Sequence, residues 1–419
     1  MRRSFPFLAR TLVLAMCSLA ACGGDDGDGD GKAAPPAPAP PAPASPTGAG
    51  AVPKRFAIGS SVSDADSETG YLKFLPSLEL GGGTVDLRSG REFGGSSDVW
   101  ALGKSIYIAS GDQPTITRYE GESETTLAAR GTVSFASHGI SSAAFWNNTF
   151  VSPTKAYMAN GASNLIVWNP TTMTITGQID VPGLDKRGVL EPKPALADRS
   201  SIVYGGKAYL PVYWTDENYA GRTPDSVIVV IDTATDAVLS KISVPCTGMD
   251  YGTVTEDGRL FFSNWTGSVG THLVLKTPPS CFAEVDPKTD TVRATTLFQD
   301  VTGGHQAAAM KYVGKGKFVF TVFDEIRANA AQAVKPGALV GTPNWQLWSF
   351  DLATKQGKPI EGVDWNSGAV YYADVGGVTH AMLPGANYEN TNVYRLVDGV
   401  ATKLYDVTGW SLRLFAITE

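Results

Sequence analysis

Short runs of alternating apolar and polar residues recur through residues 54–419, and turn-forming residues separate these runs. A period of two is typical of half-buried β-strands, and no long stretch in this range has the 3.6-residue period of a helix. Four segments share a fuller pattern, in which a basic residue precedes an apolar strand, a loop, a second strand, a turn and a third strand. These segments begin at Lys155, Lys207, Arg259 and Lys317.

The turn that follows the second strand has the same chemistry in all four segments. It begins with Asn169, Asp232, Asp286 or Asp351, whose side-chain oxygen can accept hydrogen bonds from the backbone two residues further on. Repeats of about 40–55 residues with four short strands each are typical of propeller blades. The pattern therefore predicts an all-β fold built from repeated blades.

Weaker copies of the pattern complete the count. Two of them begin at Lys104 and Val378, and three N-terminal strands, the last of which begins at Thr84, lack an inner strand of their own. The C-terminal run 411–417 would supply that strand. We therefore predict a seven-bladed β-propeller that is closed by pairing of its N- and C-terminal strands, which leaves no open sheet edge.

The first 21 residues are predicted to be a lipoprotein signal peptide. Three arginines precede an apolar run that is too short to span a membrane comfortably. The run ends in Leu-Ala-Ala-Cys22, which resembles the bacterial lipobox, and this resemblance implies cleavage before Cys22 and lipid on its sulfur. Several acyl chains would anchor the protein stably in a membrane. An ordinary secretory signal with a nearby cysteine is the alternative.

The residue after Cys22 bears on which membrane would hold the protein. In enterobacteria an Asp at this position retains lipoproteins at the inner membrane, so Gly23 favours the outer membrane.

Residues 22–53 are predicted to be a disordered tether between the lipid and the folded body 54–419. A Gly/Asp run is followed by a Pro/Ala tract, which favours an extended polyproline II conformation. The acidic run lacks the Glu that closes a calcium-binding loop, so it is interpreted as a solvated spacer.

Charge and cysteine content limit the partners and the compartment. The chain has 34 basic and 41 acidic side chains, a net charge of −7, and no basic run in its body, which argues against nucleic acid as a partner. Cys246 and Cys281 are the cysteines of the folded body. In an oxidising envelope we predict a disulfide between them, with two buried thiols as the alternative.

The blade pattern xAY…hhhhDxxTxxV…IxVP, best matched by residues 207–245, resembles that of seven-bladed YncE-like and surface-layer-type β-propellers of bacterial envelopes. With the lipobox and the acidic, Pro-rich tether, the architecture also resembles envelope lipoproteins encoded beside siderophore pathways in myxobacteria. The resemblance implies an envelope-bound binding protein, and no functional residue follows from it.

Long loops are predicted on one face of three consecutive blades, at residues 213–226, 264–280 and 324–345. Long loops in compact domains are usually functional or disordered. Aromatic side chains there predict a surface that binds a ligand or protein partner, whereas the alternative is that the rings pack onto their own blades. The aromatic residues of this predicted surface, together with one from an inter-blade loop, are Tyr213, Trp214, Tyr219, Trp265, Trp345 and Trp365.

The inter-blade loops also carry His138, His305 and Asp250, which could converge on the channel axis and bind calcium or iron. The alternative is that these histidines have structural hydrogen bonds.

No Gly-x-Ser-x-Gly or His-Glu-x-x-His motif and no phosphate-binding loop is present in the sequence, which argues against catalysis. We therefore predict a membrane-anchored, non-catalytic propeller that binds a small ligand or an envelope protein, for example in siderophore or metal uptake. The alternatives are a metal-dependent hydrolase or lactonase with its site at the channel mouth, and a scaffold for another envelope protein.

Overall fold

The predicted seven-bladed β-propeller is confirmed. In the computed structural model, the described residues form seven antiparallel sheets of four or five strands, with one short parallel pairing. The predicted signal peptide, Cys22 and the tether lie outside these residues, and no helix among the residues described is long and apolar enough to cross a membrane. The described residues are 55–63, 68–94, 98–109, 111–143, 147–217, 221–333 and 335–418.

The strands of each blade follow one another from the inner to the outer edge of its sheet. Blade 1 consists of β30 (Trp410–Ile417), β1 (Arg55–Ser63), β2 (Glu68–Leu75) and β4 (Arg91–Phe93), and blade 2 of β5 (Asp98–Leu102), β6 (Ser105–Ala109), β7 (Thr115–Glu120) and β8 (Ala128–Ser134). Blade 3 consists of β9 (Asn148–Ser152), β10 (Lys155–Ala159), β11 (Asn164–Asn169) and β12 (Thr174–Asp180). In blade 4, β13 (Glu191–Pro194) and β14 (Ile202–Tyr204) together form the inner strand, and β15 (Lys207–Thr215), β16 (Arg222–Asp232) and β17 (Val238–Val244) follow.

Blade 5 consists of β18 (Met249–Val254), β19 (Leu260–Asn264), β20 (Cys281–Asp286) and β21 (Thr291–Leu297). Blade 6 consists of β22 (Ala307–Gly314), β23 (Lys317–Phe323), β24 (Trp345–Asp351) and β25 (Gln356–Pro359). Blade 7 consists of β26 (Tyr371–Val375), β27 (Val378–Pro384), β28 (Asn390–Val397), β29 (Val400–Thr408) and β3 (Thr84–Val85). The α-helices are α1 (Thr266–Leu275), α2 (Phe298–Thr302) and α3 (Gly337–Val340), and short 3₁₀ helices span Leu87–Ser89, Ala136–His138, Ala330–Gln332 and Ala386–Tyr388.

The ring closes as predicted, because β30 forms the inner strand of blade 1 and pairs antiparallel with β1. The prediction that the run at Thr84 belongs to this blade, as the last of its three N-terminal strands, is wrong. This run, β3, pairs in parallel with β29 of blade 7, and β4 is the outer strand of blade 1 instead. Three consecutive glycines with positive φ, 81–83, allow the chain to turn directly before β3. The first blade is thus tied to the last through β3 as well as through β30.

The predicted turn chemistry is present. The Asp232 carboxylate accepts hydrogen bonds from the backbone N–H groups of Ala234 and Thr235, at 2.9 and 2.8 Å. Asp236 then takes a left-handed φ of 61°, and its N–H donates back to the Asp232 carbonyl. These local bonds fix the sharp reversal between the third and fourth strands of blade 4.

The basic residue and the tyrosine of the repeat bind the turn of the next blade. Lys207 Nζ and Tyr209 Oη contact the Asp290 carboxylate of blade 5 at 2.7 and 2.8 Å. Lys155 and Tyr157 contact Asp236 of blade 4 in the same way. The Lys and Tyr of the recurring Lys-Ala-Tyr sequence therefore bind neighbouring blades to each other.

Cys246 and Cys281 form a disulfide with a Cα–Cα distance of 5.8 Å. Both are almost fully buried, in the apolar layer between blades 4 and 5. The bond joins the connection that leaves blade 4 to the third strand of blade 5.

Candidate functional site

One face of the ring carries the three α-helices, and we call it the helix-bearing face. The helix α1 connects the second and third strands of blade 5, α2 connects blades 5 and 6, and α3 lies between the second and third strands of blade 6. Because strand direction alternates within a blade, these connections all open on the same face. The inner strands begin at this face. Regular structure occupies much of the described part of the predicted long loops: α1 lies within 264–280, α3 lies within 324–345, and the described residues of 213–226 belong mostly to β15 and β16.

The prediction of an exposed aromatic surface is wrong for two of its four tryptophans, Trp214 and Trp345. Trp214 is 2% exposed, its indole N–H donates to the Asp185 carbonyl at 2.7 Å, and the Arg187 guanidinium lies 3.6 Å from its ring centroid. Trp345 is fully buried and donates to the Leu339 carbonyl at 3.0 Å. Burial of such rings stabilises the raised loops themselves, because each ring removes a large apolar area from water.

The other predicted aromatic residues differ in their exposure. Tyr213 is buried, and the Arg222 guanidinium lies between its ring and that of Trp265, at 5.2 and 5.0 Å. Trp265 and Trp365 are half-buried, so each keeps part of its surface accessible. The remaining member of the predicted set, Tyr219, lies outside the described residues.

The structure does not bring His138, His305 and Asp250 together as a metal site. The Asp250 carboxylate binds the Arg199 guanidinium at 2.7 Å and the Ser200 hydroxyl at 2.6 Å, so its oxygens are already engaged. His305 is exposed and lies beside Trp348. No group of three or more His, Cys, Asp or Glu side chains that could hold calcium, iron or another metal occurs among the residues described.

The inner strands of the seven blades enclose a central channel of about 390 Å³. This volume lies within the range of small-ligand pockets. Lys311 of blade 6 and Asp374 of blade 7 face it as an ion pair with an N–O distance of 2.6 Å. The channel is therefore a polar cavity that has side chains from every blade near its wall.

The inner strand of blade 4 is interrupted by a segment that we call the channel insert, residues 195–201. Pro194 pairs with Val212 and Ile202 with Tyr209, so the whole insert stands opposite only two residues of β15 and bulges out of the sheet. Its backbone packs against Gly252, where a Cβ atom would lie 2.6 Å from the Ser200 carbonyl oxygen. The insert places Asp198 and Arg199 on the channel.

Two buried arginines connect five blades at the end of the channel nearer the helix-bearing face. Arg413 of the closing strand binds Asp98 of blade 2 at 3.0 Å and Asp198 of the insert at 3.2 Å. Arg199 binds Asp250 of blade 5 at 2.7 Å. The Tyr371 ring of blade 7 lies near both guanidinium groups, at 4.8 Å from Arg199 and 5.8 Å from Arg413. We call these charged residues the ionic layer.

Burial raises the pKa of Asp98 to about 6, and the attraction of Arg413 only partly offsets this. Since this value lies above that of an unfolded aspartate, the folded protein binds more protons than the unfolded chain between about pH 4 and 6. The stabilising contribution of neutral Asp98 is complete below about pH 4 and is lost as the pH rises through 6.

The variant Asp98→Asn is therefore expected to lose this pH dependence. Relative to Asp98→Asn, the wild-type protein should become less stable as the pH rises from 4.5 to 7, as measured by denaturant unfolding. Asp351→Asn is the control, because the Lys317 ammonium lowers the pKa of Asp351 to about 2. The pH dependence of stability that Asp351 causes therefore lies below pH 4, outside the range that is measured. If the difference in the free energy of unfolding between wild type and Asp98→Asn were constant from pH 4.5 to 7, the prediction would be contradicted.

Three uncharged donors of channel-lining residues are buried and have no hydrogen-bond partner within the described part of the chain. They are the indole N–H of Trp100, the amide Nδ2 of Asn148 and the hydroxyl of Tyr372. The orientation of the Asn148 amide is fixed, because its oxygen accepts the indole N–H of Trp168 at 3.0 Å. Buried donors are nearly always paired, so the N–H groups of Trp100 and Asn148, which lie in neighbouring blades, call for an acceptor at the channel.

The sequence interpretation named Asp250 for a different role and missed Asp198, Arg199 and Arg413. A signal was present for Arg413, because it stands alone as a charged residue in the apolar run 411–417. No comparable signal marked Asp198 and Arg199, because the sequence before Lys207 resembles a polar connection between two predicted blades.

Comparisons with known proteins give distant structural likenesses and no family. No protein-family model and no curated protein matches the chain. The WD40 domain of Toxoplasma gondii coronin is 13% identical, with a TM-score of 0.42 over 85% of this chain and 76% of that one. The Pan2 WD40 domain of Neurospora crassa is 10% identical, with a TM-score of 0.44 over 75% and 79%. PorZ of the type-IX secretion system of Porphyromonas gingivalis is 11% identical, with a TM-score of 0.41 over 76% and 32%. Likeness of this degree carries no argument about function.

Proposed function

We propose that the protein is a lipid-anchored binding protein of the bacterial cell envelope, whose propeller holds a small ligand in its central channel. Propellers commonly bind ligands or proteins, and the specific support here is the channel wall. It combines unpartnered buried donors at Trp100 and Asn148 with three charged residues of the ionic layer, Asp198, Arg199 and Arg413. A cavity of about 390 Å³ gives such a ligand room.

The proposed anchor is the lipid on Cys22, followed by residues 22–53 as a spacer in front of the propeller 54–419. The lipobox resemblance and the composition of the spacer support this arrangement. We place the protein at the outer membrane, as a YncE-like or surface-layer-type propeller. A role in siderophore or metal uptake would agree with the architecture.

Replacing the lipidated cysteine tests the anchor. Cys22→Ser is expected to abolish lipid attachment and to move most of the protein out of the membrane fraction, because the variant lacks the sulfur that would carry the lipid. Cell fractionation and the mass of the N-terminal peptide measure this. Cys17→Ser, in the part removed with the signal peptide, is the matched control and should remain membrane-bound with its acyl mass. An unmodified Cys22 in the wild-type protein would refute the anchor.

A bulky side chain inside the channel tests ligand binding. Ala373 lines the channel, and Ala373→Trp is expected to fill it and to abolish the thermal shifts that small molecules produce with the wild-type protein. Val400→Trp is the control, because Val400 is 62% exposed on the same blade. The measurement is a thermal-shift screen, joined to native mass spectrometry of protein taken from its own envelope. Channel binding is refuted if no compound binds wild type, or if Ala373→Trp binds the same compounds equally well.

A further inference from the structure

The inner strands of blades 1 to 3 present polar and aromatic side chains at successive positions on the channel side. Residues two apart in a strand share a face. In blade 3 these residues are Asn148 and Phe150, and in blade 1 they are Arg413 and Phe415, all of which line the channel. In blade 2 the corresponding pair is Asp98 and Trp100, and Asp98 binds Arg413 directly. One side of the channel therefore has a polar layer next to an aromatic layer.

The polar layer offers donors to an acceptor. The Asn148 Nδ2 and the Trp100 indole N–H donate to no described residue, and the Asn148 amide cannot be turned around without loss of the bond from Trp168. Arg413 adds a buried positive charge beside the same cavity. Neutral donors next to a guanidinium are suited to the oxygens of a carboxylate.

Asp198 occupies the position in which we expect the carboxylate of a ligand. The Asp198 side chain is 54% exposed, and it binds Arg413 Nη1 at 3.2 Å from the channel insert. The Asp98 side chain, by contrast, is 5% exposed and belongs to a regular strand. A carboxylate that enters the channel could therefore exchange with that of Asp198 while Asp98 stays in place.

The aromatic layer offers apolar contact to the rest of the ligand. The rings of Trp100 and Phe150 meet edge to face with centroids 6.0 Å apart, and Phe415 is half-buried beside the channel. Aromatic side chains in a pocket favour offset or edge contacts with a further flat ring.

From these observations we infer that the channel binds a small aromatic carboxylate, whose charged group meets Arg413, Asn148 and Trp100 and whose ring meets the aromatic layer. This inference rests on the proposed function, because it names the ligand class of the same channel.

Calorimetric titration of the full-length mature protein with three probes tests the ligand class. Benzoate is expected to bind, whereas benzamide, which has the ring without the charge, should bind at least tenfold more weakly. Acetate, which has the charge without the ring, should also bind at least tenfold more weakly. Equal binding of benzoate and benzamide, or no binding of benzoate, would overturn the inference.

Two variants with opposite expected effects locate the carboxylate. Asn148→Asp keeps an oxygen for Trp168 but replaces the donor by a second carboxylate oxygen, and we expect at least a tenfold loss of benzoate affinity. Asp198→Asn removes the competing charge from an exposed side chain, and we expect a severalfold gain. Gln356→Glu adds one negative charge on the exposed outer strand of blade 6 and should leave the affinity unchanged.

Further outcomes separate this inference from the proposed function. If Asn148→Asp does not fold, Trp100→Phe removes the indole N–H, keeps a smaller aromatic ring and should also weaken benzoate binding. An unchanged or lower affinity in Asp198→Asn would overturn the placement of the carboxylate. If other compounds bind the wild-type channel and are lost in Ala373→Trp while benzoate does not bind, only the ligand class is wrong. If no compound binds, the proposed function itself fails.

Discussion

Replacing Asp250 with alanine is expected to lower the free energy of unfolding by about 3–5 kcal/mol, the cost of removing one partner from a buried ion pair. Asp250 is 6% exposed, and its carboxylate binds both Arg199 and the hydroxyl of Ser200. In the variant, the guanidinium would lie in the same low-dielectric surroundings without that carboxylate. The channel insert would lose its main polar contact with blade 5.

The measurement is denaturant unfolding of wild type and variant, compared at their transition midpoints. Asp257→Ala is the matched control, because the side chain of Asp257 is 60% exposed and its pair with Arg259 lies at the surface. Exposed pairs contribute about 0–1 kcal/mol. The double variant Asp250→Ala, Arg199→Met should recover much of the lost stability, since it leaves no buried charge at this position. Similar losses in Asp250→Ala and Asp257→Ala would contradict the assignment of a buried pair.

Features that depend on neighbours in sequence could be predicted, and the turn at Asp232 shows why. Its carboxylate accepts hydrogen bonds from the backbone N–H groups two and three residues further on. Both partners therefore lie within one turn, and the sequence of that turn is enough to predict the interaction. The alternation within each strand is local in the same sense. Four full copies and two weaker copies of this local pattern, together with the terminal strands, are sufficient to predict the number of blades. The apolar run 411–417 supplies the inner strand that the N-terminal strands lack, which predicts how the ring closes.

Features that depend on distant residues could not be predicted in this way. Lys207 belongs to a visible repeat, but its partner Asp290 lies in the next blade. Asp98 and Arg413 stand at opposite ends of the propeller sequence and meet only because the ring closes. The channel insert has no periodicity by which a bulge could be distinguished from an ordinary connection. Charged residues in the inner strands were therefore the available but incomplete signal for the channel.

The aromatic loops show a different limit of sequence interpretation. An aromatic ring in a long loop has two possible environments, the solvent or a small core that the loop builds for itself. Trp345 lies in such a core against Phe323, at a centroid distance of 4.8 Å. The choice depends on whether helices such as α1 and α3 cover the ring, and these helices are too short to show a clear period. The candidate binding residues consequently lie on the channel wall rather than in the loops.

Removing the disulfide is expected to destabilise the protein by about 3–4 kcal/mol, because the bond closes a loop in the unfolded chain. Cys246 and Cys281 are separated by 35 positions, and unfolded chains without the bond gain the conformational freedom of that loop. The double variant Cys246→Ala, Cys281→Ala also loses two buried sulfur atoms between blades 4 and 5. Both contributions favour the unfolded state of the variant.

Denaturant unfolding with and without reductant measures this effect. Reductant should leave the folded wild-type protein oxidised, because the sulfurs belong to residues that are only 1% and 2% exposed. In denaturant with reductant, the midpoint of the wild-type protein should approach that of the double variant, whose own midpoint should not respond to reductant. Hydrogen exchange should increase most in β20 and in the connection before β18, where the bond joins blade 4 to blade 5. Equal midpoints of the oxidised wild type and the double variant would show that blade packing alone stabilises this junction.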